Sequence, residues 1–443
     1  MTTGGAPRSP STVPSRMRDG VGAVARLVPG PALATDDLIV VGEGSFASAF
    51  DVDAAALIAS ALANLAFGVT TVDLARVHGL FAGTVSVDGQ PLPQWADLSG
   101  YYRTSDGGFI QFHCNFPHHA AGVVARLRCE PTRESIQQAV LQRNPYDLEH
   151  DLIADGMIAA KLRTITEWAD HPHAAATSEL PLISVQQVGD GAPRPSTRRL
   201  KVLDCSRVLA GPVAGMTFAA HGSDVLLVGA PHLPSVDIGV LTTGSGKRNT
   251  FADLDTGPGR ADFERLLAGA DVWIDSYRPG SFASRGLTPQ RCAPGTVTVQ
   301  LSAFDWVGPW AGRRGFDSIV QSTTGIVDAG SIASGRTDPV PLPVQALDYC
   351  TGLLAAFAAA QLVRHQSEHG GTWLARLSLL RTRNWLTSLG GPQPFTPLRA
   401  IPSAATMHTV DTPFGKVTAA LPIGGTWPHG PQPLGSSPPT WRP

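Results

Sequence analysis

The distribution of apolar and polar residues changes character at Leu200, where short apolar segments begin to alternate with helical ones. Residues 201–208 (KVLDCSRV) predict a strand, and residues 210–222 predict a helix that starts with small residues and ends at Gly222. Residues 223–231 (SDVLLVGAP) predict a second strand. A strand, a crossover helix and another strand of these lengths are typical of a parallel βαβ unit.

The same alternation continues towards the C-terminus. Further predicted elements are a strand at 249–254, a helix at 261–270, strands at 271–277 and 296–304, a long apolar helix at 345–365, and a strand or helix start at 373–380. We therefore predict an α/β fold with a doubly wound, mostly parallel, Rossmann-like sheet over residues 198–385.

The first half has a different pattern. Residues 51–67 (DVDAAALIASALANLAF) predict an Ala-rich helix with Asp51 or Asp53 as its N-cap. Residues 98–116 predict a β-hairpin, because an Asp-Gly turn separates two strand-like runs. Residues 134–172 carry short helical patterns, and a strand pair is predicted near HTVDTPFGKVTAALP in the C-terminal segment.

These patterns predict a large α/β domain and a smaller α+β domain built from N- and C-terminal segments. The predicted division is a disordered tail at 1–35, an N-terminal helical and α+β region at 36–190, a linker at 191–199, the Rossmann-like domain at 200–388, and a Pro/Gly-rich segment at 389–443.

Composition narrows the possible functions. Only 16% of residues are charged and the net charge is −2, so the basic face that a nucleic-acid binder needs is not expected. The five cysteines show no CxxC and no metal spacing, which fits a reducing cytoplasm better than a disulfide framework. We expect neither a membrane span nor a secretory signal. The high Ala, Gly, Pro and Arg content suggests a GC-rich, bacterial genome.

Common catalytic motifs are missing from the sequence. The turn after the first strand, at 207–212, lacks GxGxxG, and the chain has no P-loop, GxSxG or HExxH motif. His113, His118 and His119 lie close to Cys114, but strand alternation places neighbouring side chains on opposite faces, so no metal site is predicted.

Seven phrases, in order from Leu203 to Leu380, resemble the family III CoA-transferases (CaiB/BaiF-like). Relatives in that family include formyl-CoA transferase, carnitine CoA-transferase and α-methylacyl-CoA racemase. The phrases are LD with RVLAGP at 203–212, GSDVLLV at 222–228, GKR with ADLD at 246–255, ADV with SYRPGSF and GL at 270–287, LSAFDWVGPWAGRRGFDSIVQSTTGI at 301–326, ALDYCTGLLAA at 346–356 and LARLSLL at 374–380.

The resemblance implies a CoA-binding site in the second half. Arg278 of the RPG phrase and Lys247 and Arg248 of the GKR phrase would meet CoA phosphates, for which Arg offers a planar donor fork. The expected CoA-binding residues are Arg207, Ala210, Gly211, Lys247, Arg248, Tyr277, Arg278, Gly315 and Phe316. The family's usual Glu-Pro pair after the second strand is replaced by Val228-Gly229-Ala230-Pro231.

The resemblance also implies that Asp348 is the catalytic nucleophile. In the family's CoA-transferases an Asp at this position attacks the acyl-CoA carbonyl, and an aspartyl-CoA thioester follows. A carboxylate is a weak nucleophile, so it must be desolvated and aligned with the carbonyl. The oxyanion that forms needs backbone N–H donors, which a helix start supplies. The alternative is that Asp348 is an ordinary N-cap. Cys350 is expected to point away from Asp348 into the core.

Three functions remain open at this point. The first is transfer of CoA from an acyl-CoA to a small carboxylic acid, with no permanent cofactor. The second is racemisation or isomerisation of an acyl-CoA, although Phe316 stands where the family's racemases have a proton-transferring His, and Asp317 is then expected to cap its own helix. The third is a non-catalytic CoA-binding protein. The resemblance further implies a homodimer and an atypical, tandem or permuted domain order.

Overall fold

The computed structural model describes residues 14–195, 199–395 and 406–442. The helices are α1 (Ser15–Ala25), α2 (Val52–Ala66), α3 (Leu74–Ala82), α4 (Pro117–Leu127), α5 (Arg133–Val140), α6 (Pro145–Ala154), α7 (Ile165–Ala169), α8 (Pro172–Thr177), α9 (Ala210–Ala220), α10 (Asp237–Thr243), α11 (Gly257–Ala268), α12 (Asp317–Thr323), α13 (Ile326–Ser334), α14 (Ala346–His369) and α15 (Leu379–Leu389).

The strands belong to four sheets of two to seven strands. They are β1 (Ile39–Val41), β2 (Thr71–Asp73), β3 (Ser86–Val87), β4 (Gln90–Pro91), β5 (Gly100–Arg103), β6 (Phe109–Phe112), β7 (Ala159–Lys161), β8 (Ser184–Gly189), β9 (Lys201–Cys205), β10 (Asp224–Gly229), β11 (Arg248–Phe251), β12 (Val272–Asp275), β13 (Val297–Ser302), β14 (Thr372–Ser378), β15 (Met407–Thr412) and β16 (Gly415–Ala420).

The largest sheet has seven strands in the order β11-β10-β9-β12-β13-β14-β8. Every neighbouring pair is parallel except β14 with β8. The chain builds outward from β9 through β10 and β11 on one side, and through β12, β13 and β14 on the other. A crevice therefore opens at the carboxyl ends of β9 and β12, where ligands bind in sheets of this type. The predicted α/β class is confirmed.

Helices cover both faces of this sheet because successive strand residues point in opposite directions. In β9, Val202 belongs to the core that contains α9 and α14, whereas Leu203 belongs to a separate core with Phe263 and Leu266 of α11. Helix α14 also packs against α2, so the first half of the chain contributes to the main core.

Helix α14 is long and apolar enough to cross a membrane, but 94% of its most apolar 18-residue window is buried inside the fold. Burial on all sides explains its composition, because a helix surrounded by other elements needs no polar face. The residues described here thus show a core helix where composition alone would permit a membrane span.

The first half contains the predicted helix and hairpin. Asp51 caps α2, accepting a hydrogen bond from the Ala54 N–H at 3.0 Å. Strands β5 and β6 form the hairpin, and β7 adds a third strand that the sequence did not predict. The predicted C-terminal pair, β15 and β16, joins β3 and β4 in a four-stranded sheet that links the two ends of the chain.

The predicted tail at 1–35 is wrong in part. Residues 1–13 lie outside the described part of the chain, but Ser15–Ala25 form α1. Val21 and Val24 are buried in the main core, and α1 packs closely on α2, since a Cβ on Gly20 would lie 2.7 Å from Ile58 Cδ1. In addition, β8 precedes the predicted linker at 191–199 yet belongs to the large sheet. Residues 196–198 of that linker lie outside the part of the chain that the structure describes.

Candidate active site

The larger of two adjoining cavities, called here the outer cavity, has a volume of about 500 Å³. It lies at the carboxyl edge of the large sheet. Its wall includes Arg207 after β9, Gly229 at the end of β10 with Ala230 after it, and Tyr277 and Arg278 after β12. The outer cavity thus occupies the crevice that the strand order creates.

Five arginines line the outer cavity, which gives it a positive character. They are Arg207, Arg278, Arg285, Arg313 and Arg314. Two are already paired, Arg285 with Asp255 at 2.8 Å and Arg313 with Glu149 at 2.9 Å. The Arg278 side chain is exposed and has no hydrogen bond or ion pair within the described ranges. Arg278 is therefore free to meet an anion.

A cluster of one histidine and two carboxylates lies on the same wall. One ligand atom each from His232, Asp253 and Asp255 lies within 4.8 Å of the others. The three residues are exposed or half-buried, and Asp255 is held by Arg285. Because solvated acidic groups commonly gather without a metal, this arrangement does not identify a metal site.

The smaller inner cavity has a volume of about 190 Å³ and contains Asp348. Its walls are largely apolar and aromatic, with Phe81, Trp95 and Tyr349 among them. Four residues line both cavities and form the partition between them: Phe116, Arg207, Val208 and Phe316.

Val208 in the partition has a strained backbone. Its φ is +72°, a left-handed conformation that a β-branched residue rarely adopts. Such strain persists only where surrounding structure enforces it, and it clusters at functional sites. Here it directs the chain between β9 and α9 along both cavities.

Asp348 lies in the first turn of α14 with 7% of its surface exposed. Its own N–H donates to Asp317 Oδ2 at 2.9 Å. Burial raises the pKa of Asp348 well above its ordinary value, and the neighbouring Asp317 raises this pKa further. A hydrogen bond from the Ala210 N–H, at the start of α9, acts in the opposite direction.

Close packing of two helices brings that N–H to Asp348. A Cβ on Gly352 would lie 2.4 Å from the Ala210 carbonyl oxygen, so α9 and α14 could not approach as they do with any larger residue. Two helix N-termini therefore meet at one carboxyl group, and their partial positive charges favour its ionised form. Cys350 is buried in the core, as predicted.

Asp317 caps α14 and not α12, contrary to the prediction. It is the first residue of α12, where it makes no N-cap bond, and it accepts from the backbone N–H groups of Leu347 and Asp348. Gln321 also donates to it. Burial raises the pKa of Asp317 to about 6. The N-cap of α14 is Gln345, so the alternative that Asp348 is merely an N-cap is wrong.

Two predicted phosphate ligands are paired with buried carboxylates, although Lys247 still lines the inner cavity. Lys247 is 1% exposed, and its Nζ donates to Asp204 Oδ2 at 3.0 Å. Arg248 lines neither cavity and forms a bidentate pair with Asp224 at 2.9 and 3.0 Å. Both cations are neutralised inside the fold, because Arg248 at the start of β11 and Lys247 just before it face buried carboxylates of β10 and β9. The adjacent sequence does not reveal these pairings.

The other expected ligand residues divide into two groups. Arg207, Tyr277, Arg278, Gly315 and Phe316 line one or both cavities. Ala210 and Gly211 line neither, and they serve instead to start α9 beside Asp348. A Cβ on Gly211 would lie 2.3 Å from the Cβ of Ser206, so this glycine allows the helix to begin close to β9.

Residues of the first half also line both cavities, and sequence reasoning missed them. His113, Trp95 and Asn115 belong to the inner cavity, while His118 and His119 belong to the outer one. The phrase FHCNFPHH is conspicuous, but the sequence gives no sign that it lies against Phe316, about two hundred positions later.

Residues 198–393 match the sequence model of CoA-transferase family III. The matched range contains Asp348 and the strand ends that line the outer cavity, which confirms the family resemblance predicted from the sequence. It leaves out Phe116, His113 and the other cavity-lining residues of the first half.

Curated relatives match over similar lengths. An acetyl-coenzyme A transferase, nodX, of Hypoxylon pulicicidum is 29% identical over 227 residues, covering 49% of this chain and 36% of the relative. A succinate–glutarate CoA-transferase of Agrobacterium fabrum is 30% identical over 198 residues, covering 40% and 49%. The chain thus spans half or less of the length of these two relatives.

Two solved structures are also similar in part. The hypothetical protein Rv3272 of Mycobacterium tuberculosis superposes with a TM-score of 0.39 and 25% identity, covering 44% of this chain and 57% of that one. A CAIB/BAIF family protein from Brucella suis has a TM-score of 0.39 and 25% identity, covering 51% and 65%.

The internal pairing of Lys247 can be tested by mutation. Lys247→Met leaves Asp204 buried without its partner and should lower the free energy of unfolding by about 3–5 kcal/mol. The double variant Lys247→Met, Asp204→Leu replaces the pair with apolar groups and should recover most of that loss. Urea unfolding followed by circular dichroism measures both. A double variant as unstable as the single one would contradict this assignment.

The raised pKa of Asp348 predicts a pH-dependent stability. A buried carboxyl whose pKa is higher in the folded than in the unfolded state stabilises the fold at low pH, and this contribution is lost as pH rises. The free energy of unfolding of the wild type, minus that of Asp348→Asn, should therefore fall between pH 4 and pH 8. Urea titrations across this range give the difference. A difference that is constant or rises with pH would contradict the prediction.

Proposed function

We propose that this protein transfers CoA from an acyl-CoA to a small carboxylic acid. The premise is that residues 198–393 match the sequence model of CoA-transferase family III. The matches to named CoA-transferases support an enzyme of this type. The observation that carries the proposal is the position of Asp348, a buried carboxyl in an apolar cavity that adjoins an arginine-lined one.

In this proposal the outer cavity holds the nucleotide and diphosphate end of CoA. Arg278 is unpaired among the described residues, and Arg207 and Arg314 present further guanidinium groups to the same space. Burial lowers the pKa of Arg207 and of Arg314, as expected for cations without a facing carboxylate. Phosphate would supply the missing negative charge through charge-assisted hydrogen bonds.

The pantetheine arm would then pass the partition and bring the thioester to Asp348. A carboxylate oxygen of Asp348 attacks the acyl carbonyl carbon, forming a C–O bond as the C–S bond breaks and CoA leaves as thiolate. The thiolate attacks the Asp348 carbonyl of this mixed anhydride, releasing the acid and leaving an aspartyl-CoA thioester. An acceptor carboxylate reverses both steps.

The surroundings of Asp348 suit this chemistry. Burial removes the water that would otherwise weaken a carboxylate nucleophile, while the Ala210 N–H and the start of α14 stabilise its ionised form. The raised pKa of Asp348 means that transfer should accelerate as pH rises through its ionisation. These steps need no permanent cofactor. The proposal also includes a homodimeric state and a cytoplasmic location.

A racemase is a weaker candidate. Phe316 cannot transfer a proton, and the Phe316 ring lies where the family resemblance would place the histidine. However, His113 stacks on that ring at 4.0 Å in the same cavity. Exchange of the substrate α-proton with deuterium, measured alongside transfer, distinguishes the two activities.

Asp348→Asn should abolish the covalent intermediate while CoA still binds, because the amide keeps the shape but is a far poorer nucleophile. Intact-protein mass spectrometry after incubation with acetyl-, succinyl- or fatty acyl-CoA should show a CoA-sized adduct on the wild type only. Asp328→Asn, a half-buried carboxyl in α13 outside both cavities, is the control and should retain the adduct. An adduct on Asp348→Asn would refute the assignment.

Arg278→Ala should weaken CoA binding by about 1–3 kcal/mol, the range for a charge-assisted hydrogen bond, or about fivefold to 150-fold. Isothermal titration calorimetry with CoA gives the affinity. Arg265→Ala removes an arginine that pairs with Asp262 on α11, outside both cavities, and should leave the affinity unchanged. Equal affinities for the wild type and Arg278→Ala would contradict the placement of CoA.

A further inference from the structure

His113 occupies a wall of the inner cavity that faces the same space as Asp348. It directly follows β6, and its backbone N–H donates to the Ile158 carbonyl at 3.0 Å. The ring lies between two aromatic neighbours, stacked on Phe316 at 4.0 Å and edge-on to Trp95 at 5.6 Å. These contacts fix the orientation of the imidazole without using its nitrogens.

The imidazole is buried, yet one of its nitrogens lacks a partner. Only 5% of His113 is exposed, and Nδ1 has no hydrogen-bond partner from another residue in the described part of the chain. By contrast, the neighbouring Asn115 is satisfied by Ser99 and Gln94. A buried polar atom without a protein partner is costly, so Nδ1 is available for a hydrogen bond to a ligand in the inner cavity.

The imidazole is also neutral at physiological pH. Burial lowers the pKa of His113 to about 3, and the nearby His119 adds to this effect. A neutral imidazole carries one N–H and no charge, so it can donate a hydrogen bond to an oxygen without attracting the substrate carboxylate as a cation would. Neutral histidines polarise carbonyl groups in this way in other enzymes.

We propose that His113 is a catalytic residue that donates a hydrogen bond from Nδ1 to the acyl oxygen of the thioester while Asp348 attacks. This inference rests on the proposed function. As the C–O bond to Asp348 forms, the carbonyl π electrons move to that oxygen; they return when the C–S bond breaks. His113 keeps its proton throughout and stabilises the transient oxyanion.

The assignment gives the first half of the chain a chemical role. The family match begins at residue 198, so His113 is not part of the matched segment. Its ring instead reaches the site by stacking on Phe316, which lies within that segment. The inner cavity would therefore be catalytically complete only with both halves present.

His113→Phe removes the donor and keeps an aromatic ring to stack on Phe316. Rapid-quench mass spectrometry should show the CoA adduct forming about 10²–10³ times more slowly than in the wild type, the range measured for loss of one oxyanion donor. The calorimetric affinity for CoA should not change, because the nucleotide is placed in the outer cavity. His113→Asn, whose amide can still donate, should recover much of the rate.

His221→Phe is a matched control. His221 also stacks on a phenylalanine, Phe67 at 4.2 Å, and also has a buried nitrogen without a partner. Burial lowers the pKa of His221 to about 4, but this residue lines neither cavity. Its replacement should leave the rate of adduct formation unchanged.

The outcomes separate this inference from the proposed function. A wild type that binds CoA but never forms the adduct overturns the proposed function, and the inference with it. Adduct formation by His113→Phe at the wild-type rate overturns the inference alone, as does an equal loss of rate in His113→Asn and His113→Phe. If His113→Phe does not fold, His113→Leu takes its place under the same criteria.

Discussion

The hydrogen bonds that Asp317 accepts from the first turn of α14 determine where the central helix of the fold begins. α14 packs against α2, α9 and the large sheet, so its start fixes the position of Asp348 relative to all three. Two carboxyl groups are thereby buried side by side, and Asp317 raises the pKa of Asp348 beyond the effect of burial. Neighbouring buried carboxyl groups are electrostatically costly and cluster at functional sites, which supports the role proposed for Asp348.

A second set of contacts holds the first half against this site. Glu149, in α6, accepts hydrogen bonds from Arg163 and from Arg313, which lies in the matched segment. Both ion pairs of Glu149 are buried, so their charges are weakly screened by solvent. The Arg313 guanidinium also lies 4.0 Å from the centre of the Trp310 ring. These contacts join the first half of the chain to the segment that supplies the strand ends of the outer cavity.

Local patterns predicted the parts of the fold that depend on local physics. The strand at 201–205 and the helix after it follow from short apolar runs, and α2 follows from its alanines and its Asp51 cap. The resemblance predicted the match of residues 198–393 to the family model, but it did not predict which partner each side chain contacts. Lys247 pairs with Asp204, 43 residues away, and this contact exists only once β9 and β11 are in one sheet with β10 between them. The position of His113 has the same origin, since stacking on Phe316 requires the folded chain. Helix α1 was missed because its few apolar residues are buried by tertiary contacts, chiefly with α2.

The partition of Phe116, Arg207, Val208 and Phe316 has a consequence for the covalent intermediates of the proposed transfer. An acyl-aspartate anhydride and an aspartyl-CoA thioester both hydrolyse if water reaches them, and a transferase that admitted water would act as a thioesterase. Three of the four partition residues are apolar, and the inner cavity behind them is walled largely by aromatic and aliphatic groups. A CoA arm threaded through the partition would close the remaining opening, so the ligand itself would help to exclude the competing nucleophile. The balance between transfer and hydrolysis would then depend on how long the leaving CoA remains in place.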